Sequence, residues 1–104
     1  MLHKEKELIK RIAEGETELF TRIAEHYAQA VHTLIIRIVG SEEDAEELTQ
    51  DVFLRVFENL PYFNFKSSFS TWLYRIAYNC AISFTRHKRQ QYLQIDENRL
   101  RLVD

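Results

Sequence analysis

Three aromatic side chains, Tyr62, Phe63 and Phe65, fall within four residues of one another, beside Lys66 and between Pro61 and the serines Ser67, Ser68 and Ser70. Aromatic faces next to a cation are the composition of sites that stack unpaired nucleobases and hold the strand by charge. A loop can also bury one such ring as a lid on the core, so composition alone leaves both uses open. The surrounding charge is uneven. Residues 62–95 contain no Asp or Glu and carry Lys66, Arg75, Arg86, Lys88 and Arg89, whereas residues 41–61 hold seven acids against Arg55 alone. The formal net charge is only −2, so overall basicity gives no argument for nucleic acid. Polarisation along the chain does, because it suggests two partners of opposite charge.

Other chemistries find little support. His26 and His32 are six residues apart and do not share a helix face as a zinc-binding H-E-x-x-H pair would. Cys80 is the one cysteine, which excludes an internal disulfide and reads as a small core residue. Neither Ser67, Ser68 and Ser70 nor Cys80 has a spacing that ties it to a base and an orienting acid. No Gly-rich phosphate loop is present. The sequence therefore predicts no catalytic residue, no metal and no cofactor. The start, MLHKEKELIKR, is charged throughout, and no apolar run reaches the ~18 residues of a membrane span. A soluble, cytoplasmic protein without a membrane partner is the expectation.

The elements that must position these residues are helical. A chain of 104 residues is the size of one domain, and 45% hydrophobic content with two glycines and one proline favours packed helices. Leu8, Ile9 and Ile12 make a short amphipathic helix that Gly15 stops. Leu19, Phe20, Ile23, Tyr27, Val31, Leu34, Ile35 and Ile38 recur at three- and four-residue steps in a long helix closed by Gly40. Ser41 with Asp44 three residues on caps a third helix, whose apolar positions are Ala45, Leu48, Val52, Val56 and Leu60. Pro61 ends it, and Ser68 or Ser70 opens a fourth helix with Phe69, Trp72, Leu73, Ile76, Ala77, Cys80, Ala81 and Phe84 on one face. That helix is expected to end near Lys88 and Arg89. The predicted fold is all-α, a single bundle of about four helices.

On the third helix, Asp44, Glu47, Asp51, Leu54 and Glu58 lie at steps of three and four with Gln50 alongside, facing away from the apolar stripe. Such a run is either a solvated face or a docking surface for a basic partner helix. Leu54 within it tilts the reading toward docking.

The run DAEELTQDVFLRVFENLPYF followed by SSFSTWLYRIAYNCAISFTRHKR resembles region 2 of extracytoplasmic-function (ECF) sigma factors, over about residues 5–92. The resemblance implies a sigma region 2 type bundle at 1–92 that binds core RNA polymerase and the promoter −10 element, with 93–104 starting an interdomain linker. It implies that Glu47, Gln50, Asp51 and Leu54 meet a basic coiled coil of the largest catalytic polymerase subunits. It places Phe63, Asn64, Phe65, Lys66 and Ser67, with Asn79 at the wall, around a base flipped out of the non-template strand. It sets Arg75, Ser83, Arg86, Lys88 and Arg89 against DNA just upstream. An anti-sigma factor is a further partner class. Many members have a basic-Gly-acidic sequence where this chain reads Asn64-Phe65-Lys66, and Asp where it has Ser83.

The function expected is a non-catalytic transcription initiation domain that binds core polymerase and captures a flipped base as the −10 element opens. A protein-interaction bundle without DNA recognition is the alternative, separated by base preference on a single-stranded oligonucleotide. A helix-turn-helix regulator would instead prefer duplex.

Overall fold

The computed structural model describes residues 2–103, and among them the elements are α1 (Glu5–Ala13), a 3-10 turn (Thr17–Leu19), α2 (Phe20–Val39), α3 (Glu42–Asn59), a second 3-10 turn (Leu60–Tyr62) and α4 (Phe69–Val103). The fold is the all-α bundle that the periodicity predicts. Gly40 follows α2 at φ +78°, a left-handed cap that suits glycine. The Ser41 side chain accepts a hydrogen bond from the Asp44 N–H at 3.3 Å, so the expected cap opens α3. Leu19, expected within the long helix, instead ends a 3-10 turn at Thr17–Leu19, and α2 begins at Phe20.

α2 is the central rod. Ile23, Val31 and Ile35 are fully buried, and they meet Val52 and Val56 of α3 and Leu73, Ala77 and Ala81 of α4 in one core. α1 closes the core with Leu8, Ile9 and Ile12.

α1 also carries a buried charge that periodicity did not reveal. Glu5 is 3% exposed and accepts a hydrogen bond from the Tyr27 hydroxyl. The tyrosine reached the core by its apolar spacing, whereas its polar partner comes from a different helix. Burial, reinforced by the Glu5 hydrogen bond and charge, pushes the Tyr27 phenol well above its ordinary value. Folding thus favours the protonated phenol. This contribution to stability is complete below pH ~10 and declines as pH rises beyond it. Tyr27→Phe leaves the carboxylate buried without its donor and is expected to cost about 1–3 kcal/mol in denaturant titrations at neutral pH. The variant should also lose less stability than the parent between neutral and strongly alkaline pH. An equally steep alkaline loss would place its origin elsewhere.

α4 does not stop near Arg89. It continues unbroken to Val103 because the stretch after Arg89 has no glycine or proline and is rich in Gln, Leu and Arg, all good helix formers. At ~1.5 Å per residue the helix is about 50 Å long, and Tyr92, Leu93 and Ile95 on it are exposed. No helix among the described residues is long and apolar enough to cross a membrane.

Candidate nucleic-acid interface

The loop between α3 and α4 is held from several sides. Pro61 sits in the 3-10 turn that ends α3. Asn64 Oδ1 accepts the Lys66 N–H at 3.1 Å, a side-chain-closed turn. Ser68 Oγ accepts the Thr71 N–H at 3.2 Å and so caps α4. Phe63 points inward and is 8% exposed. Its ring lies 4.8 Å from that of Trp72, 4.7 Å from Phe65 and 5.9 Å from Phe69.

Phe65 has a φ of +60°, the left-handed conformation that a glycine adopts without strain. For a residue with a Cβ this costs on the order of 1–3 kcal/mol. The ring offsets that cost by packing on Phe63 and lying beneath Lys6 and Lys10 of α1, whose Nζ atoms are 5.5 and 5.8 Å from its centroid.

Of the residues expected at DNA, Phe63, Asn64, Lys66, Ser67 and Arg75 border one open cavity of about 430 Å³, completed by Tyr62 and Trp72. The structure does not bring Phe65 into it, because that ring faces α1. Asn79 lines a neighbouring cavity instead. Trp72 belongs to the apolar stripe and packs against the core, yet its other side lines both cavities. At about 100° per residue, Arg75, Asn79, Arg86 and Arg89 share one exposed side of α4, with Ser83 at its edge. Lys88 lies on another side, where its Nζ is 3.1 Å from Asp44 Oδ2.

Glu47, Gln50, Asp51 and Leu54 are all exposed on one side of α3, with Leu54 60% accessible. Beside them runs an apolar groove of about 580 Å³ between α2 and α3, walled by Phe20, Ala24, Ala28, Phe53, Leu54 and Phe57. Phe20 meets Phe57 edge-on at 5.1 Å. The sequence reading missed this groove. The signal was the Phe53 and Phe57 pair, one turn apart between the buried stripe and the acidic one.

Burial pushes the Cys80 thiol upward, which makes it a poor nucleophile. Among the described residues no cluster of His, Cys, Asp or Glu could hold a metal ion.

An acidic helix beside an apolar groove is thus followed by an aromatic loop and a basic helix, all packed on one core. The chain belongs to the Sigma-70 region 2 family, which it matches over residues 23–91, in its ECF branch. It is 36% identical over 87 residues to the ECF RNA polymerase sigma factor SigW of Bacillus subtilis, covering 84% of this chain and 46% of that protein. It is 32% identical over 78 residues to the RNA polymerase sigma-H factor of Pseudomonas aeruginosa, covering 75% and 40%. With the ECF sigma-E factor of Escherichia coli it shares 34% over 77 residues, covering 74% and 40%. The chain thus spans less than half the length of these curated relatives. Among solved structures, an engineered region 2 of sigmaE in complex with GTAAAA superposes with a TM-score of 0.74 at 31% identity, covering 81% of this chain and 87% of that one.

Proposed function

We propose that this chain is a non-catalytic, cytoplasmic transcription initiation domain that binds core RNA polymerase and recognises and helps open the promoter −10 element. The observation that carries this reading is the loop cavity, where exposed Tyr62, the Phe63 edge and Trp72 stand beside Asn64, Ser67 and the cations Lys66 and Arg75. A flipped base of the non-template strand enters there, and its phosphates meet Arg75, Arg86 and Arg89 along α4, with Ser83 on the same path. Phe65 acts from behind by fixing the loop. Glu47, Gln50, Asp51 and Leu54 dock on a basic coiled coil of the largest polymerase subunits, with an anti-sigma factor as a competing partner. The unit is residues 1–92, and residues 93–104 begin the interdomain linker, with α4 running into it as far as Val103. The likeness to an engineered sigmaE region 2 solved with GTAAAA supports the single-strand part of this reading.

Magnitudes limit what the domain does alone. Stacking a base on an aromatic ring is worth roughly 1–3 kcal/mol, while each disrupted duplex step costs about 1.4 kcal/mol and flipping a few more. The 104-residue chain should therefore bind a single-stranded −10 oligonucleotide with a Kd on the order of micromolar or weaker, and duplex less well. With roughly three to five phosphate contacts at ~0.7 each, the log-affinity against log-salt slope should be about −2 to −3.5. Arg86→Ala should flatten that slope and leave base preference intact, whereas Asn64→Ala should do the reverse. Anisotropy titrations across a salt series measure both. Tighter binding to duplex, or no base preference at any salt, would overturn the proposal.

A further inference from the structure

Lys6 and Lys10 stand one turn apart on the exposed side of α1, and covering the Phe65 ring occupies only one side of each ammonium. A lysine head carries three N–H donors. The ion pairs among the described residues are Arg11–Glu16, His32–Glu42 and Lys88–Asp44, so neither lysine has a carboxylate within reach there, and Glu14, one turn beyond Lys10, supplies none. Arg11 on the same helix differs: its Nη2 lies 2.6 Å from Glu16 Oε2, and its charge is already answered. Phe65 links the two lysines to the loop cavity. Its ring packs 4.7 Å from that of Phe63, and Phe63 borders the cavity. Arg75, the first cation along α4, borders it too. Cations therefore lead away from the cavity along two different helices.

We propose that Lys6 and Lys10 bind the sugar-phosphate backbone of the single strand on the 3′ side of the captured base, while α4 holds the 5′ side. The inference rests on the single-strand reading of the loop cavity. A strand with one base captured leaves the cavity in two directions, and its phosphates are drawn to the cations along each. Arg75, Arg86 and Arg89 take the upstream direction, which is the 5′ side of a non-template strand. The other direction crosses the exposed edge of Phe65, which is 36% accessible, onto the two lysines. Both are exposed, so a phosphate reaches them without displacing a protein partner. An ammonium holds phosphate as a point charge and carries no information about the base. The α1 surface thus adds affinity and fixes the path of the strand without reading sequence.

The test uses the whole chain, with Lys6→Gln and Lys10→Gln combined, Lys6→Arg and Lys10→Arg combined, and Arg37→Gln as the removal of an exposed cation elsewhere. Glutamine and arginine are both good helix formers, so α1 is kept. The ligand is the single-stranded −10 oligonucleotide, either native or with neutral methylphosphonate links on the 5′ or the 3′ side of the captured base. In the double glutamine variant the log-affinity against log-salt slope should flatten by about 1.4, two contacts at ~0.7 each, with preference at the captured base unchanged. The double arginine variant and Arg37→Gln should keep the parent slope. Neutral 3′ links should flatten the parent by a similar amount and leave the double glutamine variant nearly where it was, whereas neutral 5′ links should flatten both. A parent-like slope in the double glutamine variant overturns this surface alone; if base preference falls at the same time, the lysines act only by holding Phe65. A loss in that variant as large on the 3′-neutral strand as on the native one overturns it too. A parent chain that binds none of the strands overturns the single-strand reading together with this surface.

Discussion

Reversing two charges on α3, Glu47→Arg with Asp51→Arg, is expected to weaken binding to core polymerase by about a hundredfold or more. Each exposed ion pair alone is worth only about 0–1 kcal/mol, so deleting one carboxylate should leave docking nearly intact. Reversal differs because it sets like charges against a basic partner, which costs several kcal/mol, and each 1.4 kcal/mol is about tenfold in affinity. Both residues are exposed and lie outside the buried stripe of α3, so helix content and melting temperature should hold. A surface-immobilised core titration reads the outcome. Native affinity in a folded double variant would remove the polymerase from this face and point to the groove beside Phe57 acting alone.

Phe63→Ala should have the largest effect on stability. The ring is buried and touches Phe65, Phe69 and Trp72, and truncating a buried Phe costs about 3–5 kcal/mol. For a domain of this size that lowers Tm by at least about 10 °C. Asn64→Ala, on the exposed side of the same loop, loses only the turn hydrogen bond from the Lys66 N–H, worth about 0.5–1.5 kcal/mol, and should shift Tm less. Scanning calorimetry on the two variants separates a ring that floors the cavity from a ring that contacts a base. If Phe63→Ala melts with the parent and loses only base preference, the ring is a contact residue after all.

The helical core was legible because burial follows a period of three and four. Ile23, Tyr27, Val31 and Ile35, or Phe69, Leu73, Ala77 and Cys80, need only be counted along one chain segment to be placed inside. The caps at Ser41 and Gly40 were legible for the same local reason. What escaped depends on contacts between segments. Glu5 reads as one more surface acid until Tyr27 of another helix is brought onto it. The aromatic loop reads as three equivalent rings, yet tertiary packing gives each a separate place: Tyr62 outward, Phe63 inward and Phe65 toward α1. Asn79 and Arg55 lie 24 residues apart in sequence, so nothing local announces that they border one cavity. The length of α4 was missed because the end expected near Lys88 and Arg89 is one that backbone propensity does not impose.

The left-handed residue at Phe65 bears on the strength of the proposed capture. A glycine at that position would leave the loop many accessible shapes in the free protein, and a strand would have to select one of them at the moment of contact. A phenylalanine pinned between Phe63 and two lysines of α1 removes those alternatives when the chain folds. The conformational entropy is lost before any DNA arrives, so the loop is preorganised and its ordering subtracts nothing from the affinity of the encounter.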